Sequence, residues 1–148
     1  MKRIVLPVLL LILTAATTAR SQIISETTTL EIGTTVEREI SGGEMHAYSL
    51  TLPAGVFAPV NVDQRGISVA ISVFVDGQRL RVVDNIGVGA PEQFSLIAER
   101  ATTYRLEVLA PDKLAQRAKY SITVKEARAV TEQDRARVDA EKLVEKSM

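Results

Sequence analysis

The chain has one histidine, His46, and no cysteine, so acid/base or metal chemistry would have to be assembled from a single imidazole and carboxylates. Without cysteine there is no disulfide, thiolate metal site, cysteine nucleophile or lipidated N-terminal cysteine. His46 begins a stretch in register with Tyr48 and Leu50, which places its ring against a core rim rather than among the positioned partners a catalytic base needs. Asp63, Asp76 and Asp84 fall at expected strand ends and offer hard oxygens to Ca²⁺. Such a site takes about 6–8 oxygen ligands and no D-x-D-x-D-G run supplies them, so turn-forming aspartates are the better account. Glu37 and Glu39 stand two apart on one outward face, whereas paired carboxylates do glycosidase work across a cleft. Gly87-Val88-Gly89 lacks the third glycine and following helix of a nucleotide fingerprint and reads as an inter-strand loop. No G-x-S-x-G, H-E-x-x-H or P-loop string occurs. The expectation is therefore no catalytic, cofactor-binding or metal residue, no cofactor, and no enzyme activity.

The elements that would position these side chains follow a period of two from Leu30 to Lys125. In Ile67–Val75, residues Ile67, Val69, Ile71, Val73 and Val75 share one face while Ser68, Ala70 and Ser72 share the other, the pattern of a half-buried strand. Asp76-Gly77 tolerates the positive φ values of a tight hairpin, and Leu80 and Val82 resume the alternation in the returning strand. Further strands are predicted at Val36–Ile40, His46–Leu52, Val56–Val62, Phe94–Ala98, Tyr104–Leu109 and Tyr120–Val124, punctuated at Ser41-Gly42-Gly43, Pro53-Ala54-Gly55 and Arg65-Gly66. About eight strands at short spacing imply an all-β, antiparallel, jelly-roll-like sandwich. The predicted inward residues are Tyr48, Leu50, Leu52, Val56, Val60, Val62, Phe94, Leu96, Tyr104, Leu106, Val108, Tyr120, Ile122 and Val124. Pro59 cannot donate to a ladder, which suggests an edge or a bulge there. After Lys125 the pattern changes: Thr131 caps a predicted helix with Asp134 in its first turn, and the segment to Met148 is rich in helix formers. Its apolar stripe of Ala136, Ala140, Leu143 and Val144 is thin, so this helix is expected to add about 1–2 kcal/mol to the sandwich and to join something else.

The N-terminus is of another kind. Lys2 and Arg3 precede thirteen residues without a charge, Ile4 to Ala16, the layout of a secretory signal and short for a membrane span of about 20 residues. Thr17 and Ala19 place small residues before a predicted cleavage between Ala19 and Arg20. The domain expectation is a signal peptide at 1–19, an extension at 20–29, a sandwich at 30–126 and a helix or linker at 127–148. Over the full 148 residues, 18 bases balance 18 acids and aromatics are 4% with no tryptophan, which speaks against nucleic-acid partners. Loss of the leader leaves 16 bases and a slightly acidic mature chain, with no stable membrane span after cleavage. Carbohydrate binding is a weaker alternative, because most tyrosines and phenylalanines fall on inward faces.

The stretches LEIGTTVEREISGGEMHAYSLTLPAG, VDQRGISVAISVFVDGQRL, ATTYRLEVLA and YSITVKEARAVTEQDRARVDAEKL carry a resemblance. Their marks are Gly42-Gly43-Glu44 before His46-x-Tyr48, Gln64-Arg65-Gly66 before the alternating strand, Asp76-Gly77 in the hairpin, and Thr103-Tyr104-Arg105-Leu106. In this order they resemble the bacterial pre-peptidase C-terminal-type (PPC-like) β-sandwich, in the version found at the N-terminus of exported proteins that continue into tetratricopeptide repeats and often a CHAT protease-like domain. The resemblance implies a non-catalytic accessory module, secreted or periplasmic, with a protein or cell-envelope partner. It also implies that the helix at 127–148 is where helical repeats begin. The competing expectation is a small secreted hydrolase or metal-dependent enzyme, which requires His46 to converge with Asp63 or Asp84 in a concave pocket.

Overall fold

The computed structural model describes residues 26–84 and 89–147. The predicted leader and its cleavage point, and Gly87-Val88, lie outside the described residues. Ten strands and one helix follow in order: β1 (Thr28–Thr29), β2 (Thr35–Ile40), β3 (Met45–Leu52), β4 (Val56–Arg65), β5 (Ala70–Val75), β6 (Gln78–Val83), β7 (Glu92–Ala98), β8 (Thr102–Leu109), β9 (Ala118–Val124), β10 (Arg128–Ala129) and α1 (Glu132–Ser147). One sheet has the order β1-β3-β8-β5-β6; in the other, β4 pairs with β7, β9 and β10, and β9 pairs with β2. All pairings are antiparallel except β1 with β3. The eight longer strands are those predicted from the period of two. The two-residue strands β1 and β10 add sheet pairing at 28–29 and 128–129, on either side of the sequence-derived 30–126.

The two sheets close a core in which Tyr48, Leu50, Leu52, Val60, Val62, Ile71, Val73, Phe94, Leu96, Leu106, Val108, Tyr120, Ile122 and Val124 are buried, as their alternation requires. Val56 and Val75 are half-buried at its margin. Gly42 is needed where the chain turns from β2 to β3, because a Cβ there would collide with the backbone of Asp112 and Ala115. Its amide donates to the Ala115 carbonyl at 3.1 Å and ties that loop down.

Three expectations need correction or a choice between alternatives. Leu80 and Val82 are 57% and 39% exposed, whereas Arg81 and Val83 point inward. Asp76 and Gly77, both at positive φ, make the two-residue turn, with Val75 opposite Gln78 and Phe74 opposite Arg79. Val73 then faces Arg81, so Leu80 is an extra residue in a bulge. A single inserted residue exchanges the faces of everything beyond it. Pro59, secondly, meets the bulge and not the edge of its two alternatives, because β4 is paired on both sides with an irregular ladder beside the proline. β7 runs along it from Val56 to Val62, while on the other side β9 ends opposite Val60 and β10 resumes opposite Phe57. Pro59 falls in that break, where the partner chain carries one extra residue and no ladder bond is required.

The third point concerns α1. Its N-terminus is capped as predicted: the Asp134 amide donates to Thr131 Oγ1 at 3.3 Å and the Thr131 amide donates to Asp134 Oδ2 at 2.9 Å. The stripe that meets the sandwich, however, is Asp134, Val138, Glu141 and Glu145. Spacings of four, three and four put these on one helix face, with Asp134 and Val138 buried. Leu143 and Val144 turn to solvent, 70% and 56% exposed, with Ala136 and Ala140 also exposed.

Candidate functional site

The alternation of β3 points His46 toward the sandwich interior with Tyr48, and the register of β2 with β9 sets Arg38 beside Tyr120. Across the two sheets the Tyr48 and Tyr120 hydroxyls are 2.5 Å apart, and the Tyr120 hydroxyl is 2.7 Å from His46 Nδ1. The imidazole stacks on the Tyr120 ring at 5.7 Å between centroids. Burial first, and the Arg38 charge second, hold the His46 pKa below its usual value, with Glu44 opposing them. A neutral ring therefore accepts at Nδ1 from Tyr120, which accepts in turn from Tyr48. Burial raises both tyrosine pKa values, so both phenols stay protonated.

The carboxylates named with His46 lie elsewhere. Asp63 is on the outer face of β4 between the inward Val62 and Gln64, and accepts from Arg65 Nε at 3.2 Å. Asp84 follows β6, three strand positions from β3, roughly 14 Å at the spacing of hydrogen-bonded strands. Asp76 is in the hairpin turn, 3.3 Å from Arg100. Glu37 and Glu39 share the outer face of β2, as expected, and pair with Lys119, Arg65 and Arg117. Among the described residues no group of three or more histidine or acidic side chains is arranged to hold a metal ion. The arrangement the enzyme reading requires, His46 with Asp63 or Asp84, is not present.

Concave space lies at the opposite seam of the sandwich, where the free edges of β6 and β7 meet. Val138 of α1 seals part of it, and beside the helix a cleft of about 450 Å³ remains, lined by Leu80, Leu96, Ile97, Tyr104, Arg135 and Lys142 among others. The bulge at Leu80 builds this seam by turning Arg81 inward. Arg81 Nη1 donates to the Ser95 carbonyl at 3.0 Å and Nε to Glu145 Oε2 at 3.0 Å, with a second contact to the same carboxylate. Glu141 stands 3.6 Å away and the guanidinium lies over the Phe94 ring. Glu141 also accepts from the Ser95 amide and hydroxyl, at 2.8 and 2.9 Å. Both backbone groups that Ser95 presents on the open edge of β7 are thus satisfied by side chains, which blocks strand addition there. Arg128 closes the helix start, pairing with Asp134 and lying over Phe57, and holds the Asp134 carboxyl well below the usual range.

No family model and no curated protein matches the sequence. Among solved structures, the pre-peptidase C-terminal domain of a collagenase from Bacillus anthracis superposes with a TM-score of 0.54 at 17% identity, covering 68% of this chain and 96% of that domain. The fold is PPC-like. The periplasmic inhibitors of g-type lysozyme PliG from Salmonella Typhimurium and Aeromonas hydrophila give TM-scores of 0.49 at 20% and 15% identity, covering 70% and 72% of this chain and 100% and 99% of theirs.

Within this PPC-like sandwich the sequence left three site features unseen. Arg81 reads as a surface residue until the bulge is known. Arg38 sits among charges in TVEREI, and only its alternation with Val36 and Ile40 signals an inward position. The acid stripe of α1 looks like a solvated face, although its spacing of four, three and four was available.

Proposed function

We propose that the protein is a non-catalytic, exported accessory module that binds a protein or cell-envelope partner. Several of its interior titratable groups are committed to one another: His46 to Tyr120, Tyr120 to Tyr48 and Arg81 to Glu145. The observation that carries the reading is the seam cleft, lined by Leu80 at 57% exposure, together with the outward face of the helix beside it, where Leu143 is 70% exposed. Solvated side chains of this size around a concave floor suit a partner surface. Five of the six aromatic residues, Tyr48, Tyr104, Tyr120, Phe57 and Phe94, are buried, which leaves little for stacking on sugars. A PPC-like fold agrees with an accessory role.

In the fuller form of this proposal, the leader is removed between Ala19 and Arg20, and the chain is the N-terminal part of a repeat architecture in which a following helix packs on Ala136, Ala140 and Leu143. No helix among the described residues is long and apolar enough to cross a membrane. A photo-crosslinking residue placed at Leu80 or Leu143 in cells should give a discrete adduct with an envelope protein. The same residue at Glu39, on the far side, should give none. Equal labelling at all three positions would remove the seam as the binding surface. Intact mass of the exported protein should begin at Arg20, and full-length chain in the membrane fraction would contradict cleavage.

A further inference from the structure

The sandwich has two lateral seams, and an arginine points into each. At the β6–β7 seam Arg81 meets the Glu145 carboxylate, the nearby Glu141 and the Ser95 carbonyl. At the other seam, between β2 and β3, Arg38 projects from β2 toward Tyr48 and Tyr120, and its Nη1 is buried with no hydrogen-bond partner. It is the only such side-chain atom among the described residues.

We propose that Arg38 anchors a carboxylate-binding site in the β2–β3 seam. A buried guanidinium nitrogen without an acceptor is costly; the Arg38 guanidinium interacts with the Tyr48 hydroxyl, but no carboxylate of the chain reaches its Nη1. Glu37 and Glu39 alternate onto the opposite face of β2, where Arg65, Lys119 and Arg117 hold them. Glu44, in the turn between β2 and β3, accepts from the Ser41 amide at 2.7 Å. The Tyr48 and Tyr120 hydroxyls are bonded to each other, and Tyr120 also to His46. A carboxylate matches the planar fork of arginine, and Arg81 shows that match completed within the same molecule.

The approach is from the open side of the sandwich. β2 pairs on one side only, with β9, and β1 covers just Tyr48 and Ser49 along the edge of β3. Arg38 and His46 are both half-buried, so the orphaned nitrogen lies beneath a partly open surface. The ligand is a carboxylate, either a small free one or the side chain of an acidic peptide. The site does not depend on the seam cleft that carries the proposed function, and either can fail alone.

The test is an NMR titration of the whole chain that follows the Arg38 Nε–Hε resonance and the His46 ring. Sodium acetate, a blocked tri-glutamate peptide and sodium chloride are added in separate arms at matched ionic strength. Saturable shifts with acetate and the peptide, absent with chloride, are expected. Arg38→Met should weaken them at least tenfold and Arg38→Lys less. A peptide arm at least tenfold tighter than acetate identifies an acidic side chain as the source, while equal affinities identify a small carboxylate. No saturable shift, an equal response to chloride, or unchanged binding in Arg38→Met would overturn the proposal. So would a crystal structure with an ordered water on Nη1 that acetate does not displace. Should Arg38→Met fail to fold, the acetate and chloride arms on the unaltered chain still decide.

Discussion

Protonating His46 works against the burial of its ring first and the Arg38 charge second, with Glu44 opposing both, and it would break the bond in which Tyr120 donates to Nδ1. The folded state therefore binds this proton less readily than the unfolded chain, whose histidine titrates near 6.5. The sign follows from linkage: this contribution to stability is fully present above about pH 6.5 and is lost as the pH falls below it, toward the lower folded pKa. Urea midpoints should drop between pH 7.5 and pH 5.5, and His46→Gln should flatten that part of the profile. An equal drop in the variant would assign the effect to carboxylates instead. The partly exposed ring was legible in the sequence as a rim residue of β3. Its partners were not, because Tyr120 lies 74 positions away and only the closure of one sheet on the other brings them together.

The strands were legible because one face of each is buried, which imposes a period of two that survives in the sequence; the bulge left no such trace. β5 tests the legible part. Ile71 is fully buried and Ser72 alternates to the outer face, so Ile71→Ala should cost about 2–5 kcal/mol and Ser72→Ala under about 0.5 kcal/mol. β6 tests the bulge. With Leu80 in the bulge and outward, Leu80→Lys should change the melting temperature by no more than a few degrees, whereas Val83→Lys, into a core position at 1% exposure, should prevent folding. Thermal melts of the two variants decide the register. Reversed results would restore the regular hairpin in which Leu80 points inward. β1 and β10 escaped notice for a simpler reason, since two residues cannot display a period.

At the scale of the molecule, the question is whether α1 belongs to the sandwich or only leaves it. A thin apolar stripe argued for leaving, and that stripe does face outward, yet the opposite face makes the contact. Removing residues after Ala129 would uncover Val138's site, worth about 1.5 kcal/mol of apolar burial at minimum. It would also strip Arg81 of its carboxylate partners and free the Ser95 amide, which Glu141 holds, while Arg81 keeps the Ser95 carbonyl, a further loss of roughly 1.5–3 kcal/mol. A loss of about 3–4.5 kcal/mol in a domain of this size lowers the melting temperature by roughly 10–20 °C. That is well beyond the few degrees expected of a linker. The sandwich should still fold, because the core between the sheets contains no residue of α1 except Val138 at its border. The exposed β7 edge should then show as concentration-dependent self-association in sedimentation. Arg81→Met in the full chain is the companion measurement, and it should reproduce much of the thermal loss without self-association, since it frees only the Ser95 carbonyl while Glu141 holds the amide and α1 still covers the edge. A truncated chain that melts within a few degrees of the intact one and stays monomeric would show that α1 rests on the seam without closing it.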